Sequence, residues 1–193
     1  MNFIEIGSND YNTMIDSKFF CENSWGIIVE PLKNFIDKLK RHDNVQYLNY
    51  AITPDHDGSA KFYAPIDNPD PWWVKSIGSL YPDHPTIKDL KITGQTVETT
   101  VQTMSLDSLY KLIPDDRIHC LKIDAEGSDF GLLMAWDFER FKPLHIQFES
   151  KLMSKDQFKD LKDRLIHNEY SVVEGYSKDY NKNPYNHIAV LEI

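Results

Sequence analysis

The N-terminal segment FIEIGSND, residues 3–10, constrains the fold more than any other part of the chain. An apolar run leads into Gly7 and then into small polar side chains, a pattern typical of a first parallel strand that enters a nucleotide-binding turn. Because Gly7 has no side chain, the backbone there can approach a ligand closely. The segment therefore predicts an α/β protein with a ligand site after its first strand.

A second apolar run, GIIVEP at residues 26–31, ends in the carboxylate of Glu30 and continues into Pro31. Glu30 follows Gly7 by roughly twenty residues, the separation at which nucleotide-binding domains carry an acid. A carboxylate at that place can accept hydrogen bonds from both hydroxyls of a ribose. The two runs together predict half of a Rossmann-type site for an adenosine-containing cofactor.

The turn after the first strand lacks the second glycine of the dinucleotide fingerprint, since Gly7 is followed by Ser8, Asn9, Asp10 and Tyr11. In that fingerprint the second glycine lets the backbone meet a pyrophosphate. Its absence disfavours NAD and FAD and favours a cofactor without a pyrophosphate, such as S-adenosylmethionine.

The rest of the chain alternates between strand and helix patterns, which predicts a mostly parallel sheet with helices on both faces. The final link, residues 181–184, is short and rich in Asn and Pro, so the last strand is expected to be antiparallel. Strands are predicted at residues 3–6, 25–29, 45–48, 118–123, 144–149, 171–173 and 187–193, and helices at residues 10–20, 31–39, 105–110, 130–136 and 154–166.

Residues 54–97 form an irregular excursion within what the length of 193 residues predicts to be a single domain, residues 1–193. Prolines recur through the excursion and are expected to break any helix there. Strands are predicted near both ends, at residues 61–64 and 98–103. Its aromatic side chains argue against disorder, and a loop of this length is usually functional.

The composition and charge of the chain limit the classes of partner that it is expected to bind. The net charge of −9 disfavours a nucleic acid, because phosphate binding needs a basic surface. Cys21 and Cys120 have no motif spacing and read as packing thiols in a reducing compartment. No apolar run is long enough to span a membrane and no leader pattern is visible, so a cytoplasmic protein without a membrane partner is expected. A monomer and a homodimer are both left open.

Five short segments together resemble the successive signatures of the FkbM-like methyltransferases, and the resemblance covers nearly the whole chain. The last of them is the most specific. The segments are EIGSND at residues 5–10, VEP at 29–31, NYAI at 49–52, SLD at 105–107 and LKIDAEG at 121–127. The chain departs from the family pattern at Tyr11 and Asn12, near which the family usually carries a second glycine.

The resemblance implies a class I methyltransferase fold, S-adenosylmethionine as cofactor, and methylation of a hydroxyl on a sugar, glycan or natural-product small molecule. It implies that residues 5–10 hold the methionine end of the cofactor, that Glu30 takes the ribose, and that residues 49–51 flank the adenine. The predicted cofactor-binding residues are Glu5, Gly7, Ser8, Asn9, Asp10, Glu30, Pro31, Asn49, Ala51 and Asp124.

Methyl transfer to an alcohol needs a base within hydrogen-bond reach of the hydroxyl. Asp124, Glu126, His145 and Glu149 are candidates by position. Asp124 is the best placed, since it ends the fourth predicted strand of the parallel alternation, whereas Glu126 could equally cap the following helix. Lys122 is expected to pair with one of these acids. His145 lies in the middle of a predicted strand and is expected to pack in the core.

Trp72, Trp73 and Glu149 are the predicted substrate contacts, since flat aromatic faces suit sugar rings. The two tryptophans could instead attach the excursion to the core. Asp124, Glu126 and Glu149 could supply oxygen ligands to a hard cation, but no fixed spacing supports this and no metal is predicted.

Two other functions remain as alternatives at this stage. One is a binding protein with a methyltransferase fold and no turnover. The other is a nucleotide- or NAD-dependent enzyme, which the turn after Gly7 disfavours.

Overall fold

The computed structural model describes residues 1–17, 20–21, 23–66, 72–92, 94–173 and 186–192, without the side chains of Trp72, Trp73 and Ile92. The strands within these residues are β1 Phe3–Ile6, β2 Gly26–Val29, β3 Val45–Leu48, β4 Ala51–Thr53, β5 Gly58–Pro65, β6 Thr96–Ser105, β7 Cys120–Ile123, β8 His145–Glu149, β9 Tyr170–Val173 and β10 Asn186–Leu191. The helices are α1 Lys33–Ile36, α2 Pro85–Ile92, α3 Leu106–Tyr110, α4 Asp129–Ala135 and α5 Lys155–His167, with a 3-10 helix at Trp72–Ser76.

Seven strands form the main sheet, in the order β3-β2-β1-β7-β8-β10-β9. The first five run parallel, and β10 is antiparallel to both β8 and β9. The predicted fold class, with a mostly parallel seven-stranded sheet and an antiparallel last strand, is therefore confirmed. The chain moves outward from β1 to β3 and then returns to β7, so the order reverses between β1 and β7. Ligands of open α/β sheets bind at such a reversal.

The two faces of the sheet bury different apolar clusters because side chains alternate along each strand. Ile4 and Ile6 of β1 belong to the larger cluster, together with Leu121 of β7 and Leu161 of α5. Phe3 points to the opposite face and packs with a smaller cluster that includes Ile36 of α1. Burial on both faces explains why the central strands read as continuous apolar runs.

A second, three-stranded sheet with the order β4-β6-β5 lies within the segment predicted as irregular. β5 and β6 pair antiparallel from Gly58 opposite Thr103 to Pro65 opposite Thr96. The predicted strands at residues 61–64 and 98–103 are parts of this ladder. Residues 74–84, which we call the strap, comprise the end of the 3-10 helix and the segment that leads from it to α2. Val74 and Ile77 of the strap are buried against Tyr63 of β5.

Two predicted helix starts agree with the structure because each capping contact joins residues only three positions apart in sequence. The Ser105 hydroxyl accepts a hydrogen bond from the backbone N–H of Ser108 at the start of α3. Ser154 and Gln157 form a reciprocal capping box at the start of α5. Each cap satisfies backbone donors that the first turn of a helix leaves unpaired.

The helix predicted over residues 10–20 is wrong, since the described residues of this range, 10–17 and 20, contain turns, bends and irregular backbone but no helical residue. Met14 and Ile15 are buried, which accounts for the apolar spacing that suggested a helix. The polar residues beside them, Asn12, Thr13, Asp16 and Ser17, are poor helix formers. The Ser17 hydroxyl, for example, donates to the backbone carbonyl of Met14 at 2.6 Å. The helix predicted at residues 31–39 is also shorter, and begins at Lys33.

Two further predictions are wrong. Pro85 starts α2 rather than preventing a helix, because a proline at the first helical position removes an N–H that would have no partner there. His145 is exposed rather than packed in the core, since it opens β8 at the edge away from the strand's carboxyl end. None of the helices in the described residues has the length and apolar character needed to cross a membrane.

Candidate active site

A narrow central cleft lies beyond the carboxyl ends of β1, β2 and β7, at the point where the strand order reverses. The space between its walls is about 550 Å³, part of which is open solvent. Of the predicted cofactor and catalytic residues, seven line the cleft: Gly7, Asn9, Glu30, Pro31, Ala51, Asp124 and Glu126.

The turn after β1 is built by backbone contacts around Gly7. Its N–H donates to the carbonyl oxygen of Val29 at 2.9 Å, and its φ is +83°, in the left-handed region that favours glycine. The carbonyl of Ile6 accepts a hydrogen bond from the backbone N–H of Asp124 at 2.9 Å. These bonds hold the ends of β1, β2 and β7 together at the cleft.

Asn9 connects this turn to Glu30. Its backbone N–H donates to Glu30 Oε2 at 2.9 Å, and its φ of +54° is one that asparagine tolerates better than most residues. The other oxygen, Oε1, accepts from the backbone N–H of Leu32 at 2.9 Å. The carboxylate of Glu30 is therefore fixed on both oxygens, while each oxygen keeps acceptor capacity for a further donor.

Burial raises the pKa of Glu30 to about 7, although the hydrogen bonds from Leu32 and Asn9 oppose the shift. Asn49 does not line the cleft but supports this corner from behind. Its amide Nδ2 donates to the backbone carbonyls of both Glu30 and Pro31 at 2.9 Å. Asn49 therefore positions the loop that carries Glu30.

Three more predicted cofactor residues lie next to the cleft without lining it. Glu5 is fully buried and forms an ion pair with Lys122 at 2.9 Å. Lys122 also lies 3.9 Å from Oδ2 of Asp124, one of the acids with which it is expected to pair. Ser8 is buried and donates through its hydroxyl to the carbonyl of Asn9. Asp10 forms an ion pair with Lys75 of the strap at 3.3 Å. The strap is thereby linked to the turn after β1.

Glu126 is held by two residues of the strap. Its backbone carbonyl accepts a hydrogen bond from the Ser79 hydroxyl at 2.7 Å, and its Oε2 lies 3.0 Å from Nε2 of the buried His84. The φ of Glu126 is +44°, an uncommon value for a residue with a side chain. Such strained backbone persists where its surroundings over-determine it, as these contacts do.

Two adjoining grooves lie near Glu126, in addition to the central cleft. The inner groove, of about 580 Å³, is lined by Glu149 and Asp129, and the outer groove, of about 920 Å³, by Glu126 and His84. Both volumes include open solvent. The grooves share the four lining residues Tyr81, Gly127, Leu152 and Met153. Glu126 lines the central cleft as well, so this residue lies between the cleft and the outer groove.

Acidic side chains crowd the loops after β7 and β8, and their surroundings raise several pKa values. Burial, with the nearby charges of Glu126 and Asp124, raises the pKa of Glu149 to about 7. Desolvation by the surrounding protein also raises the pKa of Asp124, although 49% of its side chain is exposed and the charge of Lys122 opposes the shift. The Glu149 carboxyl, which titrates near neutrality, is suited to proton transfer.

Asp129, at the start of α4, was not among the predicted site residues. Its two carboxyl oxygens accept hydrogen bonds from the backbone N–H groups of Ala125 and Glu149, at 3.2 and 3.1 Å. Burial raises the pKa of Asp129 to about 8. It ties the loop after β7 to the end of β8. An acid in the first turn of a helix is the only local signal, and it does not reveal this link.

His84 and Ser79 were also missed, since neither belongs to a motif and both lie far from Glu126 in sequence. The side chains of Trp72 and Trp73, predicted to contact substrate, lie outside the described residues. Among the side chains that are described, no group of three or more His, Cys, Asp or Glu is arranged to hold a metal ion.

The sheet order and the cleft at its reversal point define a Rossmann-like methyltransferase fold, and comparison with known proteins agrees. The model of the methyltransferase FkbM domain matches residues 5–177. The chain therefore belongs to the FkbM family of methyltransferase domains, and both the resemblance and the predicted class of enzyme are confirmed. No curated protein sequence matches the chain.

Solved structures with the same fold are distant in sequence. The Methanococcus jannaschii fibrillarin, a pre-rRNA processing protein, matches with a TM-score of 0.50 and 9% identity over 99% of this chain and 66% of its own. A fibrillarin/Nop5p complex matches with a TM-score of 0.50 and 12% identity over 100% of this chain and 72% of the other. A precorrin-6y C5,15-methyltransferase from Geobacter metallireducens GS-15 matches with a TM-score of 0.46 and 12% identity, over 100% and 80%. The chain spans just under two thirds of the first fibrillarin, and the two likenesses with a TM-score of 0.50 concern the fold alone.

Proposed function

We propose that this domain transfers a methyl group from S-adenosylmethionine to a hydroxyl oxygen of a sugar, glycan or natural-product small molecule. The observation that carries the proposal is the place of Glu126. Glu126 lines both the central cleft and the outer groove. A base in that place can reach an acceptor in the groove while the donor occupies the cleft.

The side chains that line the central cleft fit this cofactor. Glu30 keeps acceptor positions for ribose hydroxyls, and the side chains of Leu32, Phe35 and Tyr50 offer an apolar wall for a flat base. Asp124 supplies a carboxylate toward a cationic group at the other end. The turn around Gly7 has no second glycine, which agrees with a ligand that has no pyrophosphate.

When bound, S-adenosylmethionine would supply an electrophilic methyl group for transfer to the acceptor oxygen, with S-adenosylhomocysteine as the second product. The residues of the chain align the acceptor and take its proton. Glu126 accepts the hydroxyl proton as the oxygen attacks. Alignment of the methyl donor and the acceptor supplies most of the remaining rate enhancement, because the reaction is an in-line displacement.

The grooves suggest the chemistry of the acceptor. Tyr81, Leu152 and Met153 provide flat or apolar surface, and Glu149 and Lys151 provide polar partners. That mixture suits a ring that carries hydroxyl groups. The net charge of −9 does not favour a nucleic acid as the acceptor.

The first test is isothermal titration of the protein with S-adenosylmethionine and, separately, with NADH. We expect S-adenosylmethionine alone to bind, and Glu30→Ala to weaken it at least about tenfold, the loss of a charge-assisted hydrogen bond. Glu139→Ala, at an exposed acid, is the matched control and leaves the affinity unchanged. Binding of NADH in place of S-adenosylmethionine would contradict the proposal.

Turnover is then measured as S-adenosylhomocysteine formed with a panel of methyl glycosides (glucoside, galactoside, mannoside and rhamnoside). Product formation that depends on the glycoside supports the proposed acceptor class. Tight binding of S-adenosylmethionine without any product would favour the other function considered from the sequence, a binding protein that has the fold and no turnover.

A further inference from the structure

His84 uses both nitrogens of its imidazole ring. Nδ1 accepts hydrogen bonds from the backbone N–H groups of Thr86 and Ile87, at 3.1 and 3.4 Å. A nitrogen that accepts carries no proton, so the ring proton lies on Nε2. Nε2 therefore donates to Oε2 of Glu126, 3.0 Å away. The ring is buried, which keeps water from competing for either contact.

The donor to Glu126 is held rigidly because His84 also starts a helix. Its carbonyl accepts from the backbone N–H of Lys88 at 3.0 Å, which makes it the N-cap residue of α2. Ile87 and Leu90 of α2 are buried against Val74 and Ile77 of the strap. The helix thus fixes the imidazole, and the imidazole fixes one oxygen of the carboxylate.

The other carboxyl oxygen of Glu126 is left available. Oε1 accepts no hydrogen bond from the residues that the structure describes. A glutamate side chain has several rotatable bonds, and ordering such a side chain is entropically unfavourable. With Oε2 bonded to His84 and the backbone carbonyl bonded to Ser79, this ordering is complete before an acceptor arrives.

We propose that His84 is a positioning residue, which holds Glu126 so that Oε1 receives the proton of the acceptor hydroxyl. The proposal rests on the proposed methyl transfer. His84 lines the outer groove, but in this scheme it contacts neither the cofactor nor the reacting atoms and acts through Glu126. Nothing in the sequence motifs of the chain points to it, because 42 residues separate it from Glu126.

The two roles of His84 can be separated with two amide side chains. In asparagine, Oδ1 stands the same number of bonds from Cα as Nδ1 of histidine, so His84→Asn keeps the helix cap and loses the donor to Glu126. In glutamine, Nε2 stands the same number of bonds from Cα as Nε2 of histidine, so His84→Gln keeps the donor and weakens the cap. A purely structural residue would respond in the opposite order.

We expect His84→Asn to lower kcat about 10- to 100-fold with the best methyl glycoside of the panel, through misplacement of the base. Its Tm and its affinity for S-adenosylmethionine should match those of the wild type. His84→Gln should recover most of kcat while its Tm falls by roughly 2–4 °C from loss of the cap. Full activity in His84→Asn, or equal loss in both variants, would overturn the proposal.

A second measurement needs no acceptor. Long-range ¹H–¹⁵N NMR spectra of the imidazole groups should place the proton of His84 on Nε2, and Glu126→Gln should shift that signal. A proton on Nδ1 would overturn the positioning role whatever the turnover. If the wild-type protein methylates no acceptor although His84 has the expected tautomer, the proposed function itself fails, and the role of His84 falls with it.

Discussion

A Cβ atom added to Gly7 would lie 1.9 Å from the carbonyl oxygen of Asp124. The turn after β1 and the end of β7 therefore meet backbone to backbone, with no room for a side chain between them. Backbone atoms cannot move aside as the end of a flexible side chain can. The left-handed φ of Gly7 adds a second restriction at the same residue.

Gly7→Ala should unfold more easily than Gly94→Ala, which is the matched control. Both glycines have left-handed φ values, +83° and +69°, but a Cβ on Gly94 meets no atom of the described residues within 4 Å. The strain of φ is common to both variants, so the difference reports the clash alone. We expect it to be about 1–3 kcal/mol in the free energy of unfolding, measured with urea. Equal stability of the two variants would show that the turn relaxes.

Asn49→Ala should weaken binding of S-adenosylmethionine about 3- to 10-fold, the equivalent of one or two lost hydrogen bonds. The amide of Asn49 holds the carbonyls of Glu30 and Pro31, so the loop that carries Glu30 loosens without it. Isothermal titration measures the change. Asn168→Ala removes a similar amide bond at the end of α5 and should leave the affinity unaltered.

The stability of the protein should fall as the pH rises from about 5 to 8. In the folded protein, burial raises the pKa of Asp129 to about 8 and those of Glu30 and Glu149 to about 7, from ordinary values of 3.8 and 4.5. In this range the folded state holds protons that the unfolded state has released. The free energy of unfolding therefore decreases with rising pH, by an amount on the order of a few kcal/mol, which urea titrations at several pH values measure.

Asp129→Asn removes one of these protons and should flatten the pH dependence by about 1–3 kcal/mol between pH 5 and 8. Asp57→Asn is the control. Hydrogen bonds from Ser105 and Ser108 lower the pKa of Asp57, so it titrates below this range. A slope that is equally steep in Asp129→Asn would contradict the role given to burial.

Lys75→Gln should speed the release of S-adenosylmethionine about two- to fivefold, the effect of a partly exposed ion pair. Lys75 links the strap to Asp10 at 3.3 Å, and Ser76, Gly78 and Leu80 of the strap line the central cleft. Stopped-flow displacement measures the rate. Lys61→Gln breaks the exposed pair with Glu98 and should have no effect on release.

Glu126→Gln and Asp124→Asn distinguish the two candidate bases that the sequence leaves open. We expect Glu126→Gln to lower turnover at least about 100-fold, because removing a general base has an effect of that order. Asp124→Asn should lower turnover less, since Asp124 lines the cleft but not the grooves. Both should bind S-adenosylmethionine. The reverse order of turnover would make Asp124 the base.

The sequence predicts the sheet well where the signal is local. The strands β1 and β2 are buried on both faces, so their apolar runs identify them directly. The cap at Ser154 likewise depends on residues three positions apart. The helix predicted over residues 10–20 fails because burial of Met14 and Ile15 imitates helical spacing. A single domain over residues 1–193 stays a prediction.

From the sequence, only the site residues that directly follow the ends of strands can be predicted. Gly7, Glu30 and Asp124 close neighbouring strands, so their convergence follows from the parallel sheet. The contact between His84 and Glu126 depends on how the strap folds back over the loop after β7. The course of the strap is determined by tertiary packing around Ile87 and Val74, which local sequence patterns cannot predict.

The part of the excursion that lies between β5 and β6 begins and ends at neighbouring residues. Pro65 is paired with Thr96, and the backbone N–H of Ile66 donates to the carbonyl of Gln95 at 3.0 Å. A loop whose ends are already joined by a ladder gains or loses residues at little free-energy cost, since closure entropy grows slowly with length. Insertions between these ends can therefore reshape the acceptor side of the molecule over evolution while the half that surrounds Gly7 and Glu30 stays the same.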